Sequence, residues 1–187
     1  MAAPTPPASQ PAFATRRLLL TPRTSADNES CLEMDIDPEV VRFIAVPWTD
    51  AAEHKAFIAA RTRGPYPHGQ GYWTVRQRSE PARFLGWILL TPLDAVGPDI
   101  EIGWRFRRDA WGAGFATEAA RAILDHDAFG ALGLAEVIAD IHPENARSVR
   151  VAENIGLVLR SRRFHHGEPH LRYAMTVAEY RAVGGQA

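Results

Sequence analysis

Residues 111–124 read WGAGFATEAARAIL, in which Gly112 and Gly114 stand one residue apart just before an amphipathic run. Apolar residues then recur over 116–128 with the spacing of one helix face, which predicts a helix that ends near residues 130–133. A glycine loop that leads into a helix leaves backbone N–H groups unpaired, and the helix dipole favours negative charge there. The segment therefore predicts an anion site, although an isolated Gly-x-Gly is more often an ordinary tight turn.

Two common nucleotide-binding motifs do not fit this loop. A P-loop ends in Gly-Lys-Ser/Thr, whereas Phe115, Ala116 and Thr117 follow the second glycine. A dinucleotide fingerprint requires a third glycine where Thr117 stands, and it normally lies in the first βαβ unit of its domain. About a hundred residues precede the loop in this chain, which disfavours that fingerprint.

Hydrophobic periodicity predicts an α/β sandwich with a mixed sheet. Residues 99–106 alternate, so that isoleucine and aromatic side chains face one way while Glu101 and Arg105 face the other. Residues 64–71 are dense in glycine and proline and predict a loop. The predicted strands are 16–22, 71–78, 82–92, 99–106, 135–142, 157–164 and 170–176, and the predicted helices are 25–34, 37–44, 49–62, 116–130 and 145–156.

The 187 residues suffice for one globular domain, which we expect to cover residues 13–187. The uncharged, proline-rich start predicts a disordered tail over residues 1–12. A net charge of −1 favours neither nucleic acid nor an anionic membrane as a partner. No apolar run approaches the roughly 18 residues of a membrane span. Cys31, the single cysteine, excludes an intramolecular disulfide and indicates a reducing, cytoplasmic setting.

A second motif follows the glycine loop after one helix and one strand. Asn145 and Ser148 stand in N-x-x-S spacing within PENARSVRVAENIGL, at the start of a predicted helix. Together with WGAGFATEA, this stretch resembles the GNAT superfamily of N-acetyltransferases, and within it the RimJ/RimL-like subgroup. The opening RRLLLTP (residues 16–22) resembles the first strand of that subgroup. The similarity extends over residues 15–177, and its specific part is 99–158.

The resemblance implies a fold, a cosubstrate and a binding loop. The fold is α/β, with a mixed, mostly antiparallel sheet that is splayed between two parallel central strands and flanked by helices. The cosubstrate is acetyl-CoA, without a metal, and its pyrophosphate lies on the backbone amides of 111–117. Trp111 departs from the arginine or glutamine that is usual in the family. The cofactor-binding residues that the resemblance implies are Trp104, Arg105, Phe106, Trp111, Gly112, Ala113, Gly114, Phe115, Ala116, Thr117, Asn145 and Ser148.

The resemblance also implies a reaction, the transfer of an acetyl group to a primary amine by direct attack on the thioester. Ser148 is then the expected donor of a proton to the leaving sulfur, and Glu101 is the candidate general base. Glu101 fits an exposed strand residue paired with Arg105 equally well. Asn145 also fits an ordinary N-cap, and without the resemblance Ser148 fits an ordinary polar residue in the first turn of the helix. The arginines expected near the 3′-phosphate of coenzyme A are Arg107, Arg108, Arg147 and Arg150.

The acceptor is expected to be a protein or peptide N-terminal α-amine or a small-molecule amine. A single carboxylate near the thioester suits a weakly basic amine better than a lysine side chain. Loop 64–71 and the helices around Trp48 then form the acceptor wall, with Tyr66 and His68 as contacts. The alternative function is a non-catalytic module that binds acyl-CoA as a sensor or docking domain. We expect a monomer or a homodimer.

Two histidine-containing stretches raise the question of a metal. Residues 142–144 (HPE) match the H-x-E of a zinc deaminase, but the P-C-x-x-C that completes such a site is absent from the sequence. Residues 165–170 (HHGEPH) offer three histidines and one glutamate. A hairpin tip of this composition is more often solvated, so we expect no metal.

Overall fold

A computed structural model describes residues 10–44, 48, 50–165 and 167–184. The strands are β1 (Phe13–Ala14), β2 (Leu18–Pro22), β3 (Gly71–Gln77), β4 (Glu80–Pro92), β5 (Ile100–Phe106), β6 (Glu136–Ile141), β7 (Val158–His165) and β8 (Glu168–Thr176). The helices are α1 (Asn28–Asp35), α2 (Pro38–Val41), α3 (Ala51–Arg63), α4 (Phe115–Ile123), α5 (Ala146–Asn154) and α6 (Val177–Ala182). All the strands join in one sheet, in the order β1-β2-β3-β4-β5-β6-β8-β7.

The neighbouring strands β5 and β6 run parallel, whereas every other neighbouring pair is antiparallel. The connection between them contains α4, because parallel strands require a crossover. Within the described residues, the two strands are in register only where Glu101 lies opposite Ile138, and beyond that point they diverge. The predicted mixed sheet, splayed between two parallel central strands, is confirmed.

Alternate residues of β4 face two separate hydrophobic clusters, one on each side of the sheet. Ile88 and Leu90 are buried in the larger cluster, which includes the apolar residues of α4 and α5. Trp87 and Leu89 lie in the smaller cluster, with residues of α1 and α3. The sheet therefore lies between two helical layers, and the position of a residue along β4 or β5 decides which layer its side chain meets.

The helix after the glycine loop differs from its prediction. α4 ends at Ile123, and residues 124–131 continue as a π-helix instead of an α-helix to residue 130. Gly130 permits the wider turn, because a Cβ there would lie 2.5 Å from the carbonyl oxygen of Asp125. The apolar face of the whole segment still packs against the sheet.

Other differences lie at the ends of elements. β7 and β8 extend closer to their connecting turn than predicted, α2 has only four residues, and β1 and α6 have no predicted counterpart. Asp50 caps α3, since its carboxylate accepts the N–H of Ala52 at 2.6 Å. Thr49, the other predicted cap, and residues 1–9 of the predicted tail lie outside the described residues. No helix in the described part of the chain is long and apolar enough to cross a membrane.

Gly86 on β4 lets the backbone of β5 lie close to it. Its φ is +153°, and a Cβ there would lie 2.2 Å from the carbonyl oxygen of Arg105. Gly86→Ala must therefore displace β5, and we expect it to lower the free energy of unfolding by about 1–3 kcal/mol. Calorimetry should show a lower melting temperature. Ala82→Ser, at an exposed position of the same strand, is the control. An unchanged melting temperature for Gly86→Ala would show that β4 and β5 are not packed this closely.

Candidate functional site

An open cavity of about 520 Å³ begins where β5 and β6 diverge. Its walls come from both strands, the glycine loop, the first turns of α4 and α5, and α2 with the turn that follows it. This volume lies within the range of small-molecule and cofactor sites. The parallel pair sets the position of the cavity, because two strands paired along their whole length would leave no gap between them.

The glycine loop forms one end of this cleft. Gly112 and Gly114 each have a φ of +76°, a conformation that favours glycine. Within 4 Å, an added Cβ would meet nothing at Gly112 and only the Arg17 side chain at Gly114. Gly114 begins α4 without a side-chain cap, so the first N–H groups of the helix remain available to an anion. The left-handed backbone explains both glycines as a turn, and the uncapped helix end beside it is suited to an anion.

Arg17, which Glu118 holds in place, contacts the glycine loop outside the cleft. The loop motif alone does not reveal this contact. Glu118 on α4 accepts hydrogen bonds from the Thr15 hydroxyl at 2.6 Å and from the Arg17 backbone N–H and Nε at 2.9 and 2.6 Å. Arg17 Nη1 donates to the carbonyl of Ala113 at 2.9 Å, and Ala113 does not line the cavity. In the sequence, only the resemblance of residues 16–22, which contain Arg17, to the first strand of the RimJ/RimL-like subgroup draws attention to this segment.

Trp111 occupies the loop position at which the family that the sequence resembles usually has arginine or glutamine. Its indole N–H donates to the carbonyl of Phe106 at 2.8 Å, which joins the loop to the end of β5. The Arg147 guanidinium lies 4.4 Å from the centre of the Trp111 ring, within the range of a cation–π contact. Arg147 and Arg150 both line the cleft, so two of the four arginines expected near the 3′-phosphate lie at this site.

The other two expected arginines, Arg107 and Arg108, lie outside the cleft. They line a separate depression on the surface, beside α1. Arg107 pairs with Asp109 at 3.1 Å, and Arg108 approaches Asp37 at 4.0 Å. The structure therefore does not bring these two side chains to the glycine loop, although the sequence leaves all four arginines equivalent.

The first turn of α5 brings two polar side chains to the cleft. Asn145 caps the helix, since its Oδ1 accepts the N–H of Ser148 at 3.1 Å. The Trp104 indole N–H donates to Ser148 Oγ at 3.2 Å. Because this oxygen is an acceptor toward Trp104, the hydroxyl proton of Ser148 remains available to another group. Asn145 is therefore an N-cap, and Asn145 and Ser148 both also line the cavity.

Glu101 lies at the base of the cleft, beside the single parallel contact of β5 and β6. Burial and the neighbouring carboxylates of Asp140 and Asp94 raise the pKa of Glu101 to about 7, although Arg172 and the backbone N–H of Asp140 oppose the increase. A carboxylate with a pKa near neutrality is suited to accept a proton from a substrate at physiological pH.

Arg105 pairs with Asp35 and not with Glu101, so the interpretation of Glu101 as its exposed strand partner is wrong. Arg105 Nη1 donates to the two carboxylate oxygens of Asp35 at 2.9 and 2.8 Å. The side chain of Asp35 is fully buried and also contacts His54 Nε2 at 3.0 Å. Arg105 thus belongs to a network that joins β5 to α1 and α3, and it compensates the charge of the Asp35 carboxylate, which would be costly to bury unpaired.

Twelve of the thirteen residues predicted for the cofactor and catalytic site line this one cavity, and Ala113 is the exception. The residues on its walls are Glu101, Trp104, Arg105, Phe106, Trp111, Gly112, Gly114, Phe115, Ala116, Thr117, Asn145 and Ser148.

Only part of the predicted acceptor wall borders the cleft. Tyr66 donates its hydroxyl to the carbonyl of Arg61 at 2.6 Å and packs against Tyr72 in the smaller cluster. Neither Tyr66 nor His68 lines the cleft. Of the helices on either side of Trp48, which are also part of the prediction, α2 with the turn after it does line the cleft, through Glu39, Val40, Phe43 and Ile44.

The histidine-containing stretches do not assemble a metal site in the described part of the chain, where no three potential ligands come together. His142 and His170 line the cleft, and His142 Nδ1 accepts the backbone N–H of Glu144 at 3.2 Å. His166 and the side chain of His165 lie outside the described residues.

Comparison with known proteins identifies relatives of the whole described domain. Residues 17–158 match the family described as acetyltransferase (GNAT) domain. The "Uncharacterized N-acetyltransferase YnaD" of Bacillus subtilis is 44% identical over 143 residues, which cover 76% of this chain and 80% of the relative. The "FsC-acetyl coenzyme A-N(2)-transacetylase" of Aspergillus fumigatus is 33% identical over 161 residues, or 80% of this chain. That match spans 66% of the fungal protein, just under two thirds of its length.

Solved structures that resemble this chain are also acetyltransferases. An acetyltransferase (GNAT family) from Bacillus anthracis aligns with a TM-score of 0.75 and 25% identity, covering 89% of this chain and 99% of that one. An acetyltransferase from Agrobacterium tumefaciens aligns with a TM-score of 0.75 and 27% identity, covering 89% of this chain and 95% of that one. The splayed sheet is thus shared with these proteins.

Glu101 makes stability depend on pH in a defined direction. The ordinary pKa of this carboxyl is 4.5, and in the folded protein it rises to about 7, so folding disfavours the ionised form. The destabilisation is absent below pH 4.5, grows as the pH rises, and is complete above about pH 7. We expect Glu101→Gln to raise the melting temperature near pH 8 and to leave it unchanged near pH 4, as measured by calorimetry.

Glu136→Gln, at an exposed glutamate on β6, is the matched control and should show no such gain at either pH. If Glu101→Gln instead melts lower than the wild type near pH 8, the carboxylate is stabilised by its surroundings and the environment described above is wrong.

Proposed function

The chain belongs to the GNAT acetyltransferase family, and on that premise we propose that it transfers the acetyl group of acetyl-CoA to a primary amine. Within the family we propose the RimJ/RimL-like subgroup, on the basis of WGAGFATEA and PENARSV. The observation that carries the proposal is one continuous cleft, which joins an uncapped helix N-terminus to the Ser148 hydroxyl and the Glu101 carboxyl. The proposed setting is the cytoplasm, as a monomer or a homodimer.

The residues of the cleft fit acetyl-CoA in three respects. The uncapped N-terminus of α4 suits the pyrophosphate, because it offers backbone N–H groups and the positive end of a helix dipole. The open edge of β5 at Trp104, Arg105 and Phe106 suits the amide-containing arm, because its backbone groups on that side have no partner in β6. Arg147 and Arg150 suit the 3′-phosphate.

The proposed chemistry divides two proton transfers between two residues. Acetyl-CoA supplies an acetyl thioester, whose carbon forms a bond to the amine nitrogen while its bond to sulfur breaks. Glu101 accepts the proton that the amine loses, since its pKa of about 7 allows it to be ionised at neutral pH. Ser148 donates its hydroxyl proton to the departing sulfur and is reprotonated from solvent, to which Glu101 returns the proton of the amine; the hydrogen bond from Trp104 holds the serine oxygen in place.

A weakly basic acceptor matches this site best. An α-amine has a pKa of about 7.8, close to that of Glu101, whereas a lysine side chain has a pKa near 10.4 and is about 10⁻³ to 10⁻⁴ neutral at pH 7. The name of the fungal relative, an N(2)-transacetylase that uses acetyl coenzyme A, is consistent with such an acceptor. We therefore propose the α-amine of a protein or peptide N-terminus or of a small molecule, in preference to lysine.

Loss of the left-handed glycine at position 114 should abolish cosubstrate binding. Acetyl-CoA should raise the melting temperature of the wild type, because a ligand selective for the folded state stabilises it. Gly114→Val should remove most of this increase, since a β-branched residue disfavours the φ of +76° at this position and would change the conformation of the loop before α4. Thermal unfolding with and without acetyl-CoA measures both effects.

The matched control is Gly133→Val, which also replaces a glycine of positive φ (+57°) with open space around it but lies outside the cleft. It should retain the full stabilisation by acetyl-CoA. If Gly114→Val retains it as well, the cosubstrate binds elsewhere on the molecule.

Removal of the Ser148 hydroxyl should slow turnover without weakening cosubstrate binding. The wild type should release free coenzyme A thiol from acetyl-CoA when given a panel of N-terminal peptides, polyamines and aminoglycosides. Ser148→Ala should lower kcat by about 10²–10⁴-fold, the usual contribution of general acid catalysis, and leave the acetyl-CoA thermal shift intact.

Ser161→Ala, at an exposed serine on β7, controls for loss of a hydroxyl. A decrease in kcat below about threefold for Ser148→Ala would mean that another group protonates the sulfur. Binding of acetyl-CoA without thiol release for any amine would favour the sensor alternative.

A further inference from the structure

The face of β5 opposite Ser148 presents a carboxyl group and a guanidinium group to the cleft. Trp104 contacts Ser148 on one face of the strand, so the alternating residues Glu101, Gly103 and Arg105 lie on the other. These three residues line the cleft together with Trp87 and Leu89 of the neighbouring strand β4.

Gly103 leaves a gap between Glu101 and Arg105. It pairs with Leu89 across the sheet, and a Cβ at position 103 would lie 3.1 Å from the Leu89 side chain. A larger residue here would therefore crowd the apolar floor of the cleft. The result is a recess with a proton acceptor at one end and a guanidinium at the other.

The Arg105 guanidinium is held rigidly. Its Nη1 is bound to both oxygens of the fully buried Asp35 carboxylate. The indole rings of Trp87 and Trp48 lie 5.0 and 5.8 Å from its central carbon, both within cation–π range. A side chain fixed in this way loses little further conformational entropy when it binds a ligand.

Part of the same guanidinium has no hydrogen-bond partner among the residues that the structure describes. Among the described residues, Nη1 carries all the hydrogen bonds of Arg105, and Nε and Nη2 carry none. The Arg105 side chain retains 17% of its exposure and borders the cleft. By contrast, Arg172 uses Nε, Nη1 and Nη2 in contacts with Asp99 and Asp140. A guanidinium edge with two free N–H donors matches the two oxygens of a carboxylate.

We propose that Arg105 binds a carboxylate of the acceptor, so that the acceptor is a free amino acid whose amine faces Glu101. The inference rests on the proposed acetyl transfer and selects one acceptor class within it, in preference to a peptide N-terminus or a polyamine. Pairing with Arg105 also removes the influence of the acceptor's carboxylate on its own ammonium group, which makes the amine easier to deprotonate. The recess is thus complementary to a zwitterion.

The test compares matched acceptors. One pool contains the twenty standard amino acids, and the other contains their amides, which keep the amine and side chain and lack the negative charge. With acetyl-CoA, the amino acid pool should release thiol at least about tenfold faster, the effect of a hydrogen bond to a charged group. In the presence of coenzyme A, the amino acid pool should raise the melting temperature of the protein, and the amide pool should not.

Two variants remove the guanidinium edge in different ways. Arg105→Lys keeps a positive charge beside Asp35, and the double variant Arg105→Met/Asp35→Asn removes both charges, so that no buried carboxylate is left unpaired. Both variants should release thiol at similar rates with the two pools, and the amino acid pool should no longer raise their melting temperatures. Arg108→Met, at an exposed arginine outside the cleft, should retain them.

The outcomes separate this inference from the proposed function. Thiol release at equal rates with amides and amino acids would overturn the role of Arg105 and leave acetyl transfer standing. An Arg105-dependent thermal shift without thiol release would support the carboxylate site and contradict the transferase activity. No preference for amino acids in either measurement would overturn the inference outright.

Discussion

The short parallel contact between β5 and β6 is the constraint on which the rest of the structure depends. These strands are in register only at Glu101 and Ile138, so beyond that point the N–H and C=O groups on their facing edges do not pair with each other, and the Phe106 carbonyl accepts the Trp111 indole N–H instead. Unpaired backbone groups that are shielded from water are costly, and proteins satisfy nearly all of them. An amide-containing ligand between the strands, such as the arm of the proposed cosubstrate, would satisfy such groups, and the crossover helix α4 begins beside the same gap.

The two helical layers then divide the chemistry between the two faces of β5. α5 brings Ser148 to one face, where Trp104 holds the hydroxyl oxygen. α1 holds Arg105 on the other face through Asp35, where Glu101 also lies. In the proposed reaction, a group held in the gap would meet the Ser148 hydroxyl as proton donor from one side and the Glu101 carboxylate as proton acceptor from the other, as direct attack by an amine requires.

The sequence predicts the local features of this site and misses the contacts between distant segments. Gly112, Gly114 and Asn145 carry recognisable turn and cap signals within a few residues. The Arg105–Asp35 pair joins residues seventy positions apart, and the choice between Asp35 and Glu101 as its partner depends on where α1 packs. The glycine and proline content of residues 64–71 predicts that Tyr66 lies in a loop. It does not predict that Tyr66 packs against the smaller cluster, because composition does not specify where a loop packs.

The most direct test of this account is a crystal structure with coenzyme A bound. The pyrophosphate oxygens should lie within hydrogen-bond distance of backbone N–H groups in residues 112–117, the arm should run between β5 and β6, and the sulfur should lie beside Ser148 Oγ. Coenzyme A bound outside the gap between β5 and β6, or with its sulfur remote from both Ser148 and Glu101, would contradict it.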